Sequence, residues 1–571
     1  MEFLQDPPRL GNQYDDDRVL RSWLRRALPR DVLAEVEPGL RRLGARAAGD
    51  LLELAAAEAS PPRHVPFDAW GRRVDLIETS DAWRALDRAA AEEGIVATAY
   101  ERTHGAHARM HQLARLHLYH PSSAVYSCPL AMTDGAARVL ELMGGDDPYL
   151  RGVFSRLTSR DPARCWTSGQ WMTERSGGSD VSGTSTVARP CGDDAYALSG
   201  TKWFTSATTS QVALTLARID EPGADLSLFL VELRDGAGAL RNIEVLRLKD
   251  KLGTRALPTA ELALRDTPAR LIGGPGHGVR RIATVLNITR LYNAVCAVAA
   301  MRRAIALATD YATRRTAFGR PLADHPLHVE TLAGLAVEYA GGLALAFHVG
   351  ALLGREECGE ATPEERLLLR LLTPVAKLYT GKQAVAVTSE AIEAFGGAGY
   401  IEDTGLPRLL RDAQVLSIWE GTTNVLSLDV LRATARDGTL DAFGAVVSRR
   451  LDALRDAAPR EHAPRVAEAL RRIVAHAARA AHDESSSREA AARSFAVALA
   501  RTYTASLLLE HADWSAREEG ADDARRAATV ARRWCAQELA PLAVPDAAHR
   551  AASAALLAGE PSRSAPAARP A

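Results

Sequence analysis

The sequence of 571 residues lacks most of the signatures by which a chain declares a cofactor. It has no C-x-x-C and no H-E-x-x-H, so a zinc site is not expected. It has no G-x-x-x-x-G-K-[ST], which excludes the common phosphate loop. Residues 273–279, "GGPGHGV", miss the G-x-G-x-x-G spacing and carry Pro275, so they read as a turn rather than a dinucleotide fingerprint. The six cysteines, Cys128, Cys165, Cys191, Cys296, Cys358 and Cys535, stand far apart, which fits reduced thiols in a cytoplasm better than a disulfide framework. Formal net charge is −1, so no overall field recruits nucleic acid or an anionic membrane. No apolar run reaches the roughly 18 residues of a membrane span, and the N-terminal "MEFLQDPPRL" has no basic segment followed by an apolar one. The expectation is a soluble, cytoplasmic protein without a membrane partner. Lysine is scarce too: basic residues are overwhelmingly arginine, and every lysine lies between Lys202 and Lys382.

What is present falls into blocks. Residues 1–166 read mostly as helix, with apolar residues at three- and four-residue spacing in "DDRVLRSWLRRAL", "DAWRALDRAAAEEG" and "ARMHQLARLHLYH". From 167 to 284 the texture changes to short β-rich runs such as "QVALTLARI" and "LSLFLVEL" between Gly, Asp and Pro turns, predicting a domain of antiparallel strands. Long amphipathic helices return over 285–435, and a further helical region rich in Ala and Arg covers 436–545. The end, 546–571, is rich in Pro, Ala and Ser and is expected to be disordered. Helices, sheet, helices is not the alternation that builds a doubly wound nucleotide-binding fold; the fold class is α+β, multidomain.

Two stretches carry candidate chemistry. In "QWMTERSGGSDVSGTST" (170–186), Thr173, Ser176, Gly177, Gly178, Ser179 and Asp180 form a loop of small residues whose backbone N–H groups could approach a phosphate or a cofactor edge. Alone, such a loop is more often a solvated turn. Some 25 residues on, "GTKWFTSA" places Trp203, Phe204 and Thr205 at the start of a strand. An indole there packs a core or covers a flat ring system, with the hydroxyl reaching a ring nitrogen.

The ordered series "MTERSGGSD", "KWFTSA", "RRTAFGRPL" (314–322), "FGGAGY" (395–400) and "IWEGTTN" (418–424) resembles the acyl-CoA dehydrogenase flavoprotein family over residues 70 to 435. "KLGTRA", "CPLAMTDGA" and the long C-terminal extension resemble its alkylation-response, AidB-like branch. The resemblance implies an N-terminal helical domain, a middle antiparallel β-domain, a C-terminal four-helix bundle plus the extra helical region, and a homotetramer with one FAD per subunit. It implies that Met172 and Thr173 edge the flavin ring, that Ser179 sits near the pyrophosphate or substrate entrance, and that Trp203, Phe204 and Thr205 cover the ring. It also implies that Arg315 and Phe318 reach a neighbouring subunit's cofactor, and that Gly396, Gly397, Thr422 and Asn424 belong to the FAD site. Arg175 and Ser176 stand where the family has Pro and Gly, Glu393 where it has an amide, and Pro326 where Gln is common.

By the same resemblance Glu420 is the catalytic base and Arg290, in "NITRL", lies beside it. Desaturating an acyl-CoA thioester at Cα–Cβ requires a carboxylate to take the α-proton while a hydride leaves Cβ for flavin N5. Burial beside Ile418 and Trp419 should raise the Glu420 pKa, each unit being worth about 1.4 kcal/mol, as suits a general base. The competing reading of Glu420 is a helix-terminal cap at a surface turn. Acyl-CoA is then the expected substrate, and an electron-transfer flavoprotein or similar acceptor the expected partner. The alternative function is an AidB-like flavoprotein acting mainly in stress response or in binding DNA or acyl-CoA, with weak dehydrogenase activity. Nucleic-acid binding demands a basic surface, whereas Arg471, Arg472 and Arg479 are answered by Glu468, Asp483, Glu484, Glu518, Glu519, Asp522 and Asp523. The apolar stripe Val466, Ala467, Leu470, Ile473, Val474 and Ala477 points instead to packing against the protein itself.

Overall fold

Nine helices and a small hairpin precede the first strand of the main sheet in a computed structural model that describes residues 6–57, 61–220 and 225–558. The hairpin, Arg63–Phe67 paired antiparallel with Arg73–Glu78, corrects the all-helical expectation for 1–166. Its reason is tertiary. Ile77 joins the apolar core of the sheet, while the buried Asp75 carboxylate accepts hydrogen bonds from His64 Nε2 at 2.8 Å and from the Val245 N–H at 3.0 Å. Two short strands of this kind are marginal alone and hold because a larger sheet receives them.

The middle unit is a seven-stranded sheet. Most pairings are antiparallel, but Ser168–Trp171 and Val187–Pro190 each run parallel to Val212–Ile219. The longest ladder joins Ala195–Ser206 to Thr259–Leu271, and its register shifts between Lys202 and Thr205. Trp203 and Phe204 occupy that irregularity; a bulge re-aims side chains out of the strand's alternation, and here it lifts two aromatic residues from the ladder.

Behind the sheet the helices Gly278–Arg314, Pro326–Glu357 and Pro363–Ala394 form the long members of the bundle. The third starts at a capping box, the Thr362 hydroxyl and the Glu365 carboxylate each serving the other's backbone N–H. Two of these helices are long and apolar enough to cross a membrane, with mean hydropathy 1.4 and 1.5, contrary to the expectation that no segment qualifies. Some 72% and 67% of those windows are buried against neighbouring elements, as in the core helices of a bundle.

The extra C-terminal helices share this core. One apolar cluster runs from Tyr14 through Val295 and Leu345 to Trp534 and Leu539, and helix Ser485–Glu518 packs on the bundle helices and on Thr423–Thr434. On helix Ala463–Ala480 the buried residues are Val466, Ala469, Ile473 and His476, with Ala467, Leu470 and Ala477 packed partly buried beside them; Val474, a member of the expected stripe, is instead 48% exposed and lies off the buried face. The tail is also corrected in part. Ala547–Ala558 forms an exposed helix, in keeping with the high helix propensity of its alanines; the rest of the expected disordered tail, 559–571, lies outside the described residues.

Candidate active site

The Glu420 turn joins helix Pro407–Val415 to helix Thr423–Thr434. Glu420 has φ +58° and Gly421 φ +105°, and a non-glycine residue in left-handed conformation costs roughly 1–2 kcal/mol. Two cations on different helices, the fully buried Lys377 and the partly buried Arg290, offset that strain. Arg290 Nε donates to the Glu420 carbonyl at 3.3 Å, and Lys377 Nζ donates to the Gly421 carbonyl at 2.6 Å. Arg290 is itself fixed by Asp429 at 2.9 Å, which also accepts from Arg370 at 2.6 Å. The surface-cap reading of Glu420 fails: the helix that follows has Thr422 as its N-cap, with no side-chain cap bond.

The Glu420 Oε2 atom is buried and has no hydrogen-bond partner. Desolvation raises the carboxyl above its ordinary range, and the Thr289 hydroxyl, the Arg290 and Lys377 charges and the Gln170 amide offset only part of the rise. The burial differs in part from expectation. Ile418 is 58% exposed, whereas Trp419 packs partly buried on the main core; the polar groups that act on the carboxyl are Thr289 and Arg290 on the long helix, Lys377 on a second and Gln170 on the sheet. The Glu420 N–H takes no part in the backbone hydrogen bonds of its turn.

On the sheet side, Met172 is buried and the Trp203 N–H donates to the Thr173 carbonyl at 2.9 Å, so the two candidate motifs are laced together. The Trp203 ring is overlaid by the Lys249 ammonium, 3.7 Å from its centroid, and by the Arg175 guanidinium at 5.2 Å. Phe204 is more than half exposed. The Thr205 hydroxyl donates to the Ala260 carbonyl at 2.8 Å, so it meets a ligand only as an acceptor. Gly178 is required by close approach: a Cβ there would lie 2.4 Å from Thr173 Oγ1.

Glu174, inside the motif but assigned no part in the sequence reading, organises this loop. It is buried and accepts from Lys202 Nζ at 2.8 Å, from the Ser185 N–H and hydroxyl at 2.7 Å each, and from the Thr186 hydroxyl at 2.5 Å. Burial alone would raise its carboxyl, but the Lys202 charge and these donors outweigh that and pull it down to about 2. The loop is thereby folded back, leaving Ser176, Gly177 and Ser179 exposed at its tip.

The remaining predicted residues lie at the surface. Phe318 is 98% exposed at φ +52°, Gly396 has φ +61°, and Gly397, Thr422 and Asn424 are exposed. Arg315 is partly buried at the end of helix Gly278–Arg314.

The order of units along the chain agrees with the comparisons. Family models match in sequence along the chain: the N-terminal domain of adaptive response protein AidB over 6–161, the acyl-CoA dehydrogenase middle domain over 169–267, the acyl-CoA dehydrogenase C-terminal domain over 276–435 and an acyl-CoA dehydrogenase 11 C-terminal-like domain over 438–558. The chain is 44% identical over 554 residues to acyl-CoA dehydrogenase family member 11 of Caenorhabditis elegans, covering 94% of this chain and 89% of the relative. It belongs to the acyl-CoA dehydrogenase family. It is also 36% identical over 383 residues to AidB of Escherichia coli (strain K12), covering 66% of this chain and 70% of that one. A crystal structure of C. elegans ACDH-11 in complex with C11-CoA superimposes with a TM-score of 0.92 at 42% identity, over 99% of this chain and 97% of that one.

An acyl-CoA dehydrogenase must seat a flavin and a thioester between sheet and bundle, and the structure has polar atoms awaiting partners there. Besides Glu420 Oε2, the Gln170 amide oxygen beside it and both amide atoms of Asn293 are buried without a hydrogen bond. Asn293 stands one helical turn beyond Thr289, on the same face. Buried polar atoms are ordinarily paired, so this concentration marks a site built for a polar ligand. Of these residues the sequence alone flagged only Glu420; Thr289 and Asn293 could have been found by their i, i+4 spacing around Arg290.

Proposed function

We propose that the chain is an FAD-dependent oxidoreductase that desaturates an acyl-CoA thioester at Cα–Cβ, with Glu420 as the base that removes the α-proton. The carrying observation is the Glu420 carboxyl itself: buried, unpartnered at Oε2 and raised by desolvation. When bound, FAD supplies the acceptor for the β-hydride. Trp203 and Thr205 would hold it from the sheet, with Met172, Thr173 and Ser179 along its edge. On the bundle side Glu420 takes the proton, and its uncommitted N–H is available to the thioester oxygen, where charge develops as the proton leaves. Arg290 fixes the Glu420 carbonyl and thereby the direction of the carboxylate. A general base of this kind contributes about 10²- to 10⁴-fold.

Assembly as a homotetramer in a reducing cytoplasm completes this reading, with an electron-transfer flavoprotein or a similar protein taking up the electrons. Free thiols at all six cysteines favour the compartment, and exposed Phe318, Leu327 and Tyr400 favour a subunit contact near the outer cofactor residues. The C-terminal helices do not favour a nucleic-acid partner: Arg472 pairs with Glu538 at 2.9 Å, Arg471 with Glu468 and Arg533 with Glu330. The test is Glu420→Gln. It should fold, keep the yellow spectrum and lose acyl-CoA-dependent flavin bleaching by at least a hundredfold; bleaching at the parent rate under anaerobic titration would remove Glu420 from the role.

A further inference from the structure

Among the described residues, the charged group that the reaction does not use and yet lies against its centre is Lys377. Its residue is fully buried on helix Pro363–Ala394, and buried ammonium groups are rare without a purpose or a partner. Its one hydrogen bond is to the carbonyl of Gly421, the residue directly after Glu420. One turn further along the same helix face, Gly381 allows contact that no side chain would permit: a Cβ there would lie 2.6 Å from the Leu416 carbonyl oxygen. The helix backbone therefore abuts the start of the base turn at Gly381, and Lys377 spans to its end. Arg290 holds the intervening Glu420 carbonyl from the opposite helix.

Resting on the assignment of Glu420 as base, we propose that Lys377 is a positioning residue for it: with Arg290 it clamps two consecutive carbonyls of the left-handed turn, and its ammonium sets how readily the carboxyl gives up its proton. The titratable and charged groups around this pair come from several elements. Arg290 lies on helix Gly278–Arg314 and Asp429 on Thr423–Thr434, while Arg370, which also pairs with Asp429, stands two turns back on Lys377's own helix; the Cys128 thiol on helix Ser127–Met143 feels both Glu420 and Lys251. Lys377 is affected most by desolvation, which lowers it to about 7, against a favourable Glu420 and an opposing Arg290. Below that pH the ammonium supports the Glu420 carboxylate, and Lys377→Met removes the support while leaving the apolar stem. An opposite charge at this range moves a carboxyl by about one to three units.

The experiment uses the full-length flavinated protein in pairs differing only at position 420, Glu or Gln, with Lys377 intact or changed to Met or Arg. The difference in thermal midpoint within each pair, followed from pH 4 to 9, reports the Glu420 titration without turnover; single-turnover bleaching by undecanoyl-CoA reports the chemistry. Lys377→Met should shift the Glu420 midpoint up by about one unit or more and slow bleaching at pH 7 at least tenfold, and Lys377→Arg should return the midpoint toward the parent's. An unmoved midpoint in Lys377→Met, or a midpoint that Lys377→Arg leaves displaced as far as Met does, overturns the proposal. If Lys377→Met does not fold, Lys377→Gln carries the same comparison. Undiminished bleaching in Glu420→Gln would instead refute the base assignment, and it is distinguishable because the thermal titration reads the Lys377–Glu420 pair either way.

Discussion

Trp534 and Gly341 offer a direct measure of how firmly the C-terminal extension is keyed to the bundle. Trp534, on helix Ala521–Ala536, is fully buried, and its indole N–H donates to the Arg501 carbonyl at 3.0 Å. The ring lies flat against Gly341 of helix Pro326–Glu357, so closely that a Cβ would fall 2.1, 2.5 and 2.6 Å from three of its carbons. Trp534→Ala should cost about 3–5 kcal/mol, the usual range for truncating a buried tryptophan. Gly341→Ala forces the indole or the helix to move by more than 1 Å, an overpacking cost of about 1–3 kcal/mol, set against a helix-propensity gain of about 1 kcal/mol. With the indole gone the added methyl meets no obstacle and only the gain remains. The sign of Gly341→Ala should therefore reverse: destabilising in the parent, stabilising by up to about 1 kcal/mol in Trp534→Ala. Thermal melts of the four proteins by circular dichroism, in one buffer with FAD in excess, give the cycle. Additive shifts, or a separate early transition for the extension in the parent protein, would refute the account in which both regions share one core.

The pH dependence of Glu420 follows from the direction of its shift. Desolvation raises the folded-state pKa, so the relative stability it confers is complete below the ordinary carboxylate range and is lost as pH rises through the raised value. Glu420→Gln should accordingly raise the thermal midpoint at pH 8 and leave it unchanged near pH 4; an equal shift at both would mean the carboxyl is not perturbed by folding. Arg315→Ala, at the helix end beside the exposed Phe318, should lower FAD occupancy and weaken assembly together, and a fully flavinated monomer by light scattering would contradict the shared-site reading.

Much of the site was legible because its pieces are local. "IWEGTTN" announces a turn, since glycine and threonines there break helices on both sides, and the structure places Glu420 and Gly421 in left-handed conformation within it. "MTERSGGSD" and "KWFTSA" were legible as neighbours of one ligand, and the Trp203–Thr173 hydrogen bond joins them. Illegible residues were those whose meaning depends on what the far end of the side chain meets. Lys377 sits in an apolar helical run, and Glu174 is one carboxylate among many until Lys202 is brought to 2.8 Å. The hairpin at 63–78 escaped because its short strands gain their stability from the main sheet rather than from their own periodicity.

The amino-acid sequence by itself determined the order of helices, sheet and helices, the turn that carries Glu420 and the absence of any common phosphate loop, because propensity, periodicity and glycine placement act within a few residues. Only the tertiary structure decided that the Glu420 carboxyl is desolvated and that Thr289, Arg290, Lys377 and Gln170 are the groups that partly offset the resulting rise. The field at a carboxylate is the sum over groups that are close in space, and here those groups come from two helices and a strand that the sequence does not order around it.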